Sequence, residues 1–399
     1  MLQAYREDLT WLQEDRLKEL QSIKQRIGTN GGEIFDVSMF NPDLAPQRVL
    51  LDKLVEASLK PQNHRYSVSR GIRRLRDAFA GKYQTRFGAA LNPESEICVT
   101  MGTKDAVLDT LTCLASPGKR VLFGAPTYPA HLSAARLAGL STSFFDISDD
   151  EDRMLASIAE KLRSEAIAAL VLNFPNNPTG VRVGPSFYSK LAALVRGSGV
   201  FVLNDFVYGE MSFDGEATSL LAESSLREQS AEVYSLSKAY SVPGWRVAAL
   251  CGSARLVHQV TRLKAHVDYG IFLPIQAAAS FALSTKEDLV KPLAAQYNNR
   301  CSTLAGGLRR LGWTVANPRA GACVWAKAPE PLAAGGSLRL AKELLSDAGV
   351  LAMPGLLFGE RFDGYLRFAA VIPEERIRQA LEQLSRVAGH QRTGQAAGM

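Results

Sequence analysis

The stretch SLSKAYSVPGWR, residues 235–246, contains a single lysine, Lys238, which lies between the small hydroxyl residues Ser237 and Ser241 and is followed eight positions later by Arg246. A lysine amine with its ordinary pKa of about 10.4 is almost wholly protonated, and it attacks an aldehyde only where its surroundings favour the neutral form. The hydroxyls of Ser235 and Ser237 and the guanidinium of Arg246 are groups that bind phosphate oxygens. The stretch therefore indicates a Schiff-base lysine for a phosphorylated aldehyde such as pyridoxal 5'-phosphate, although a Ser/Lys run alone is more commonly a solvated turn.

The composition is ordinary for a globular protein, with 399 residues, 46% of them hydrophobic and 22% charged. The net charge of +6 is spread along the chain, so we expect no nucleic-acid partner. We also expect no membrane span and a cytoplasmic location, since no long apolar run or secretory signal is found. The five scattered cysteines indicate reduced thiols, and the five histidines do not cluster as metal ligands would.

Seven short apolar runs alternate with helical stretches in the middle of the chain. They occupy residues 97–100, 120–123, 142–145, 168–173, 199–204, 232–235 and 248–252. Strands that are separated by helices form βαβ units, in which the strands run parallel. The sequence therefore predicts an α/β fold whose large domain contains a seven-stranded, mostly parallel sheet.

The remaining pattern predicts helices, a short strand at residues 34–40 and a smaller α+β domain. The helices are predicted at residues 5–26, 46–59, 71–87, 253–268 and 274–311. We expect three segments. These are residues 1–48, which pack with the small domain, residues 49–285, which form the large cofactor-binding domain, and residues 286–399, which form the small domain.

Two polar motifs follow predicted strands. The loop NFPNNPTG, residues 173–180, contains Asn177, and the segment VLNDFVY, residues 202–208, contains Asp205 and Tyr208. Open α/β sheets bind ligands at the carboxyl ends of their strands. An aspartate there could keep a pyridine nitrogen protonated, and the amide and the phenol could donate to a ring oxygen. Taken singly, a loop asparagine and a helix-capping aspartate are the commoner explanations.

Two further turns complete the set of polar motifs. The segment TMGTKDA, residues 100–106, joins a predicted strand to a helix, so that Gly102, Thr103 and Lys104 would lie at a helix N-terminus, where phosphate binds readily. The segment PTYP, residues 126–129, follows the next strand and could present the flat ring of Tyr128 for stacking. Each motif alone is weak, because many βα turns have such residues.

In this order, the motifs resemble the fold-type I pyridoxal-phosphate enzymes of the class I/II aminotransferase family, from about residue 36 to residue 386. The segment HVDYG, residues 266–270, is similar to the alanine and LL-diaminopimelate aminotransferase-like branch. The resemblance implies an enzyme that transfers the amino group of an amino acid to a 2-oxo acid through aldimine and quinonoid intermediates.

The resemblance also implies a role for each residue of the cofactor site. Lys238 forms the Schiff base and carries the proton, Asp205 pairs with the pyridinium nitrogen, Asn177 and Tyr208 donate to the ring oxygen, and Tyr128 stacks on the ring. The residues implied for the cofactor phosphate are Gly102, Thr103, Lys104, Ser235, Ser237 and Arg246.

Substrate and subunit contacts are implied in the same way. Arg367, in GYLRF at residues 364–368, matches the arginine that binds the substrate α-carboxylate. Asn177, Tyr269 and Phe40 are expected on the substrate side. Tyr66, in HRYSVSRG at residues 64–71, matches a tyrosine that reaches the phosphate of the neighbouring subunit. A homodimer with shared active sites is therefore expected.

One departure from the family pattern leaves the substrate open. Phe40 stands where relatives commonly have a glycine, so its ring would reshape the entrance to the substrate pocket. A bulky methionine-derived substrate such as S-adenosylmethionine would fit an alternative reaction, namely β- or γ-elimination, replacement or carbon–carbon bond formation in specialised biosynthesis. A regulatory protein with this fold is a second alternative. It is disfavoured because such proteins add a DNA-binding module, for which the short N-terminal segment leaves no room.

Overall fold

The computed structural model describes residues 14–396, and this part of the chain divides into two compact units. The sheet unit comprises Asn41–Asn298 and Pro318–Gly321. The terminal unit comprises the chain up to Phe40, Asn299–Asn317 and the chain from Ala322 onward. The domain boundaries expected from the sequence, 1–48, 49–285 and 286–399, stay a prediction.

The secondary structure consists of α-helices and β-strands that we number in chain order. The helices are α1 Glu14–Thr29, α2 Arg48–Ser58, α3 Arg73–Phe87, α4 Thr103–Leu114, α5 Pro129–Leu137, α6 Glu151–Ser164, α7 Pro185–Val195, α8 Leu236–Ala239, α9 Ala254–Val267, α10 Leu273–Ser284, α11 Lys291–Arg310, α12 Glu330–Ala333, α13 Gly336–Ala348 and α14 Glu374–Ala396. The strands are β1 Phe35–Asp36, β2 Ile97–Thr100, β3 Arg120–Ala125, β4 Ser141–Asp146, β5 Ile167–Leu172, β6 Phe201–Asp205, β7 Ser230–Ser235, β8 Ala248–Gly252, β9 Thr314–Val315, β10 Cys323–Lys327, β11 Val350–Leu351, β12 Met353–Pro354 and β13 Tyr365–Ala369.

The sheet unit contains one seven-stranded sheet with the strand order β2-β8-β7-β6-β5-β3-β4. Only β8 runs antiparallel to its neighbours, β2 and β7. The other pairs are parallel. The predicted α/β fold with a seven-stranded, mostly parallel sheet is confirmed, and each predicted run coincides with one of its strands.

Helices cover both faces of this sheet, which explains why its strands are nearly continuous apolar runs. Leu170 and Leu172 of β5 belong to one core, which contains side chains of α6 and α7. Ala169 and Val171 of the same strand belong to a second core, which contains side chains of α4 and α9. Successive side chains of a strand point to opposite faces, so one strand contributes to both cores.

The terminal unit has a four-stranded antiparallel sheet, β12-β13-β10-β9, and a parallel pair, β1 with β11. Helix α13 packs against α1 and α14. The predicted strand at residues 34–40 is reduced to the two residues of β1. Of the helix predicted at residues 5–26, residues 5–13 lie outside the described part of the chain, and α1 covers the remainder. Between residues 14 and 396, no helix is long and apolar enough to cross a membrane.

The single helix predicted at residues 274–311 is wrong, because the chain forms α10 and α11 with a break between them. The side chain of Asp288 accepts hydrogen bonds from the backbone N–H groups of Val290 (3.1 Å) and Lys291 (2.9 Å), which is the arrangement of a helix N-cap. Pro292 then occupies the first turn of α11, where proline is favoured. The break therefore had a signal in the sequence.

We predict that Asp288→Ala lowers the free energy of unfolding by about 1 kcal/mol, because the first turn of α11 loses its cap. Partial burial raises the pKa of Asp288, but the N–H donors of Lys291 and Val290 outweigh it and the pKa is lowered. The stabilisation by the Asp288 cap is therefore present above the ordinary carboxyl pKa, and it is lost as the pH falls through the lowered pKa that Asp288 has in the folded protein.

Urea unfolding at neutral and mildly acidic pH measures this effect. Glu287→Ala, which removes the adjacent exposed acid without touching the cap, is the matched control. Equal stability of the Asp288→Ala variant and the wild type at neutral pH would contradict the assignment.

Candidate active site

Five loops of the sheet unit leave the carboxyl ends of parallel strands at one edge of the sheet. They follow β2, β3, β5, β6 and β7, which all run in the same direction. Apart from Tyr66, the cofactor residues predicted from the sequence lie on these loops or at the strand ends. The sheet therefore brings the predicted lysine, carboxylate and helix N-terminus to a common edge, which is where open α/β sheets bind ligands.

Lys238 lies in the four-residue helix α8, directly after β7. The Ser235 hydroxyl caps this helix by accepting from the backbone N–H of Ser237 at 3.1 Å, and the two serine hydroxyls are 3.0 Å apart. Ser235 also donates to the carbonyl of Val247 at 3.3 Å. This hydrogen bond joins Val247, the residue after Arg246, to the start of the lysine helix.

Arg246 and Gly102 form a basic cradle at the start of α4. The Arg246 guanidinium donates to the carbonyls of Met101 (3.2 Å) and Pro243 (3.1 Å). Gly102 has φ +90°, and a Cβ added there would lie 2.4 Å from the Arg246 Nη2 atom. Thr103 and Lys104 follow in the first turn of α4. The free N–H groups of a helix start beside a guanidinium attract a phosphate group.

Asp205 ends β6 with its carboxylate almost fully buried, and its Oδ2 atom lies 2.9 Å from Nε2 of His131. His131 is also buried, and its ring meets the Tyr128 ring edge-to-face at 5.4 Å. The prediction missed His131, because its partner Asp205 lies 74 positions later in the sequence and only the fold brings the two side chains together. The pair gives the site a buried carboxylate whose orientation is fixed.

Asn177 and Tyr208, which were predicted to act together, lie side by side. The Asn177 Nδ2 atom is 3.5 Å from the Tyr208 hydroxyl, at the outer limit of a hydrogen bond. Both side chains are buried. The backbone N–H of Asn177 donates to the Asn173 side chain at 2.9 Å, so the loop after β5 is tied to its own strand.

The buried carboxylate of Glu210 contacts residues on both sides of the lysine helix α8. Glu210 forms an ion pair with Lys82 at 2.6 Å and accepts hydrogen bonds from the phenols of Tyr234 and Tyr240. Burial, reinforced by the negative charge of Glu210, raises the pKa values of the Tyr234 and Tyr240 phenols well above the ordinary tyrosine value. They therefore remain hydrogen-bond donors at physiological pH. Tyr240 follows Lys238 by two residues, and Glu210 follows Tyr208 by two residues. The hydrogen bond between Tyr240 and Glu210 therefore links α8 to the turn after Tyr208.

Tyr66 stands apart from these loops, with 93% of its surface exposed. Its ring contacts that of Tyr269 edge-to-face at 5.9 Å. Tyr269 itself has the left-handed φ of +63° and is half exposed. Further apolar side chains of the sheet unit with large exposed areas include Leu51, Val55, Leu59, Val68, Val267 and Phe272, and Met101, Leu137, Phe144 and Leu194 are exposed as well.

The predicted substrate arginine, Arg367, lies on β13 of the terminal unit and is buried. Its Nη2 atom donates to the carbonyl of Ser38 at 2.6 Å, and its guanidinium lies 5.1 Å from the centre of the Phe358 ring. Phe40, two residues after Ser38, is buried in the same unit. The terminal unit therefore brings the Arg367 side chain to the segment that ends at Phe40.

A cavity of about 420 Å³ opens at the opposite edge of the sheet, where β6 begins. Its lining includes Lys119, Phe201 and Arg255 but none of the predicted site residues. The cavity lies away from Lys238, Asp205 and the glycine turn at Gly102, none of which lines it. The candidate site is therefore the carboxyl edge, where the strand directions bring the predicted motif residues together.

Comparison with known proteins gives matches along most of the chain. The family profile "Aminotransferase class I and II" matches residues 36–384. Glutamate-pyruvate aminotransferase AlaC of Escherichia coli (strain K12) is 37% identical over 363 residues, 90% of this chain and 88% of that protein. LL-diaminopimelate aminotransferase of Dehalococcoides mccartyi (strain CBDB1) is 32% identical over 358 residues, 89% of this chain and 91% of that protein. The substrate-bound BacF structure from Bacillus subtilis has a TM-score of 0.85 at 28% identity and covers 93% of this chain and 94% of that one.

We predict that Gly102→Ala weakens the binding of pyridoxal phosphate by about tenfold or more, since losing one charge-assisted contact costs that much. The new methyl group would displace the Arg246 guanidinium, and alanine disfavours the φ of +90°. Calorimetric titration of the cofactor-free protein measures the affinity.

Gly88→Ala is the matched control. Gly88 caps α3 with φ +68°, and nothing lies within 4 Å of the position that a Cβ would take. This variant imposes a similar backbone cost away from the cradle and should bind normally. Equal affinities of the two variants would show that the cradle does not hold the phosphate.

Proposed function

This chain belongs to the aminotransferase class I and II family and is a pyridoxal-phosphate-dependent aminotransferase, and we propose that Lys238, Asp205 and the cradle at Gly102 form its cofactor site. Enzymes of this family transfer the amino group of an amino acid to a 2-oxo acid. The observation that carries our assignment is the convergence of these residues at one edge of the parallel sheet.

The side chains fit the cofactor group by group. The phosphate would lie in the cradle, where only a residue without a Cβ leaves room beside the Arg246 guanidinium. It would be held by Gly102, Thr103, Lys104, Ser235, Ser237 and Arg246. The ring would be held by Tyr128, Asn177, Asp205 and Tyr208.

Bound pyridoxal phosphate supplies an aldehyde and an electron-withdrawing ring that makes the α-hydrogen of an amino acid acidic. Asp205, oriented by its contact with His131, would hold a proton at the ring nitrogen. The amine of Lys238 would anchor the cofactor and, once released, move the proton from the substrate α-carbon. Asn177 and Tyr208 would orient the ring through its oxygen.

For the substrate, we propose that Arg367 binds the α-carboxylate, with Asn177, Tyr269 and Phe40 on the substrate side. A guanidinium gives a carboxylate two parallel hydrogen bonds, and the contacts with Ser38 and Phe358 support a fixed orientation of the arginine. Because a relative is named a glutamate-pyruvate aminotransferase, alanine and glutamate are the amino donors to test first.

We also propose a homodimer in which Tyr66 reaches the phosphate site of the partner. The exposure of Tyr66 and the apolar side chains exposed on the same unit support an interface with a second copy. Sedimentation at the mass of one chain, across working concentrations, would contradict it. A cytoplasmic location is proposed as well, supported by the five cysteines, which are all free thiols.

We predict that Lys238→Ala abolishes covalent retention of the cofactor after borohydride reduction, because the proposed site uses the Lys238 amine for the aldehyde and the Lys104 amine for the phosphate. Mass spectrometry of the denatured protein measures the added mass. Lys190→Ala, which removes an exposed lysine paired with Asp152, is the control and should retain the label. A labelled Lys238→Ala variant would refute the assignment.

We predict that Arg367→Lys raises the KM for the amino acid about tenfold or more while cofactor content is unchanged, since an ammonium group cannot reproduce the planar fork. Initial rates over a range of amino-acid concentrations measure the change. Arg361→Lys provides a control, because Arg361 also lies against an aromatic ring, that of Phe362. An unaltered KM for Arg367→Lys would remove this residue from the substrate site.

A further inference from the structure

Asn204, the residue before Asp205 on β6, holds the loop that contains Asn177. Its Oδ1 atom accepts from the backbone N–H of Phe174 at 2.9 Å, and its Nδ2 atom donates to the carbonyl of Phe174 at 3.2 Å. One fully buried side chain therefore fixes both polar groups of a single residue at the start of this loop. Neighbouring residues of a strand face opposite sides of the sheet, so Asn204 acts from the face opposite to Asp205.

Glu232 on the adjacent strand β7 fixes the Asn204 amide. Its Oε2 atom accepts from Asn204 Nδ2 and from the backbone N–H of Leu220, both at 2.9 Å. Its Oε1 atom accepts from the Ser219 hydroxyl at 2.6 Å and from the Tyr83 phenol at 3.0 Å. Glu232 has no exposed surface, and burial raises its pKa to about 7 although these donors lower it. A buried carboxyl with four donors has one favourable orientation, which it imposes on Asn204.

Asn173 ties the far end of the loop, at Asn177, to strand β6. Its Nδ2 atom donates to the Asp205 carbonyl at 2.8 Å, and its Oδ1 atom accepts from the backbone N–H of Asn177 at 2.9 Å. Residues 173–177 are thus held between two asparagines. The Asn177 amide, only just within hydrogen-bond reach of Tyr208, depends on this clamp for its position.

We propose that Asn204, held by Glu232, is a positioning residue that sets the Asn177 amide against the oxygen of the cofactor ring. The inference rests on the ring-oxygen role proposed for Asn177. By this proposal, the Asn204–Glu232 network on the far face of the sheet controls how well the Asn177 amide donates. A donor that shifts by a fraction of an ångström loses much of its hydrogen bond.

The pH dependence of the visible absorption of the cofactor-loaded protein reports this effect directly. A donor hydrogen bond stabilises an ionised oxygen, so its loss makes the oxygen hold a proton more tightly. We expect Asn177→Ala to raise the pH midpoint of the absorption change by about one unit. Asn204→Ala should raise it in the same direction, and the double variant should show no more than the Asn177→Ala shift.

The matched control is Ser219→Ala, which removes a donor from the same Glu232 carboxylate without touching Asn204. This variant should unfold at a lower urea concentration and leave the pH midpoint unchanged. If Asn204→Ala does not fold, Asn204→Asp combined with Glu232→Gln replaces it. That pair restores a donor and an acceptor between positions 204 and 232 but leaves the Phe174 carbonyl without its donor, so the midpoint should still rise.

The outcomes separate the two levels of the proposal. An unchanged midpoint in Asn177→Ala would overturn the ring-oxygen role of Asn177 and, with it, this inference. A shift in Asn177→Ala with none in Asn204→Ala, or in the replacement pair, would overturn the inference alone. Additive shifts in the double variant, or an equal shift in Ser219→Ala, would also overturn it, because Asn204 would then act independently or only through general stability.

Discussion

The shared direction of strands β2, β3, β5, β6 and β7 is the constraint on which the site depends. Parallel strands that are buried on both faces end at one edge, where their backbones stop pairing and polar groups can be exposed to a ligand. Residues separated by well over a hundred positions, such as Gly102 and Lys238, come to that edge only because β8 inserts antiparallel between β2 and β7. The antiparallel strand thus keeps the basic cradle and the lysine helix on the same side.

Three buried acids then fix the positions of the side chains and loops at the strand ends. Asp205 is held by His131, the lysine helix is tied to Glu210 through two phenols, and the loop of Asn177 is tied through Asn204 to Glu232. An unpaired buried carboxylate is costly, whereas one with several donors is rigid and fixes the groups around it. The site is therefore preorganised by polar contacts inside the sheet unit rather than by the apolar cores alone.

Much of this fold could be predicted from the sequence, because strands buried on both faces are unmistakable apolar runs between helices. The sequence also placed the motif residues after predicted strands, and the structure brings them to one edge of the sheet, while their roles at the cofactor stay a proposal. His131, Asn204 and Glu232 could not be predicted, because their partners are distant in sequence and only strand order brings them together. The break between α10 and α11 was missed for a different reason: helical periodicity outweighed the local signal of Asp288 and Pro292.

The most direct test of the central claim is a single-turnover reaction of the cofactor-loaded protein with one amino acid and no acceptor. The account predicts that alanine or glutamate releases one equivalent of the corresponding 2-oxo acid per site, with the amino group retained on the cofactor. Release of ammonia or of a side-chain fragment, with the aldehyde cofactor unchanged, would contradict transamination and favour elimination chemistry instead.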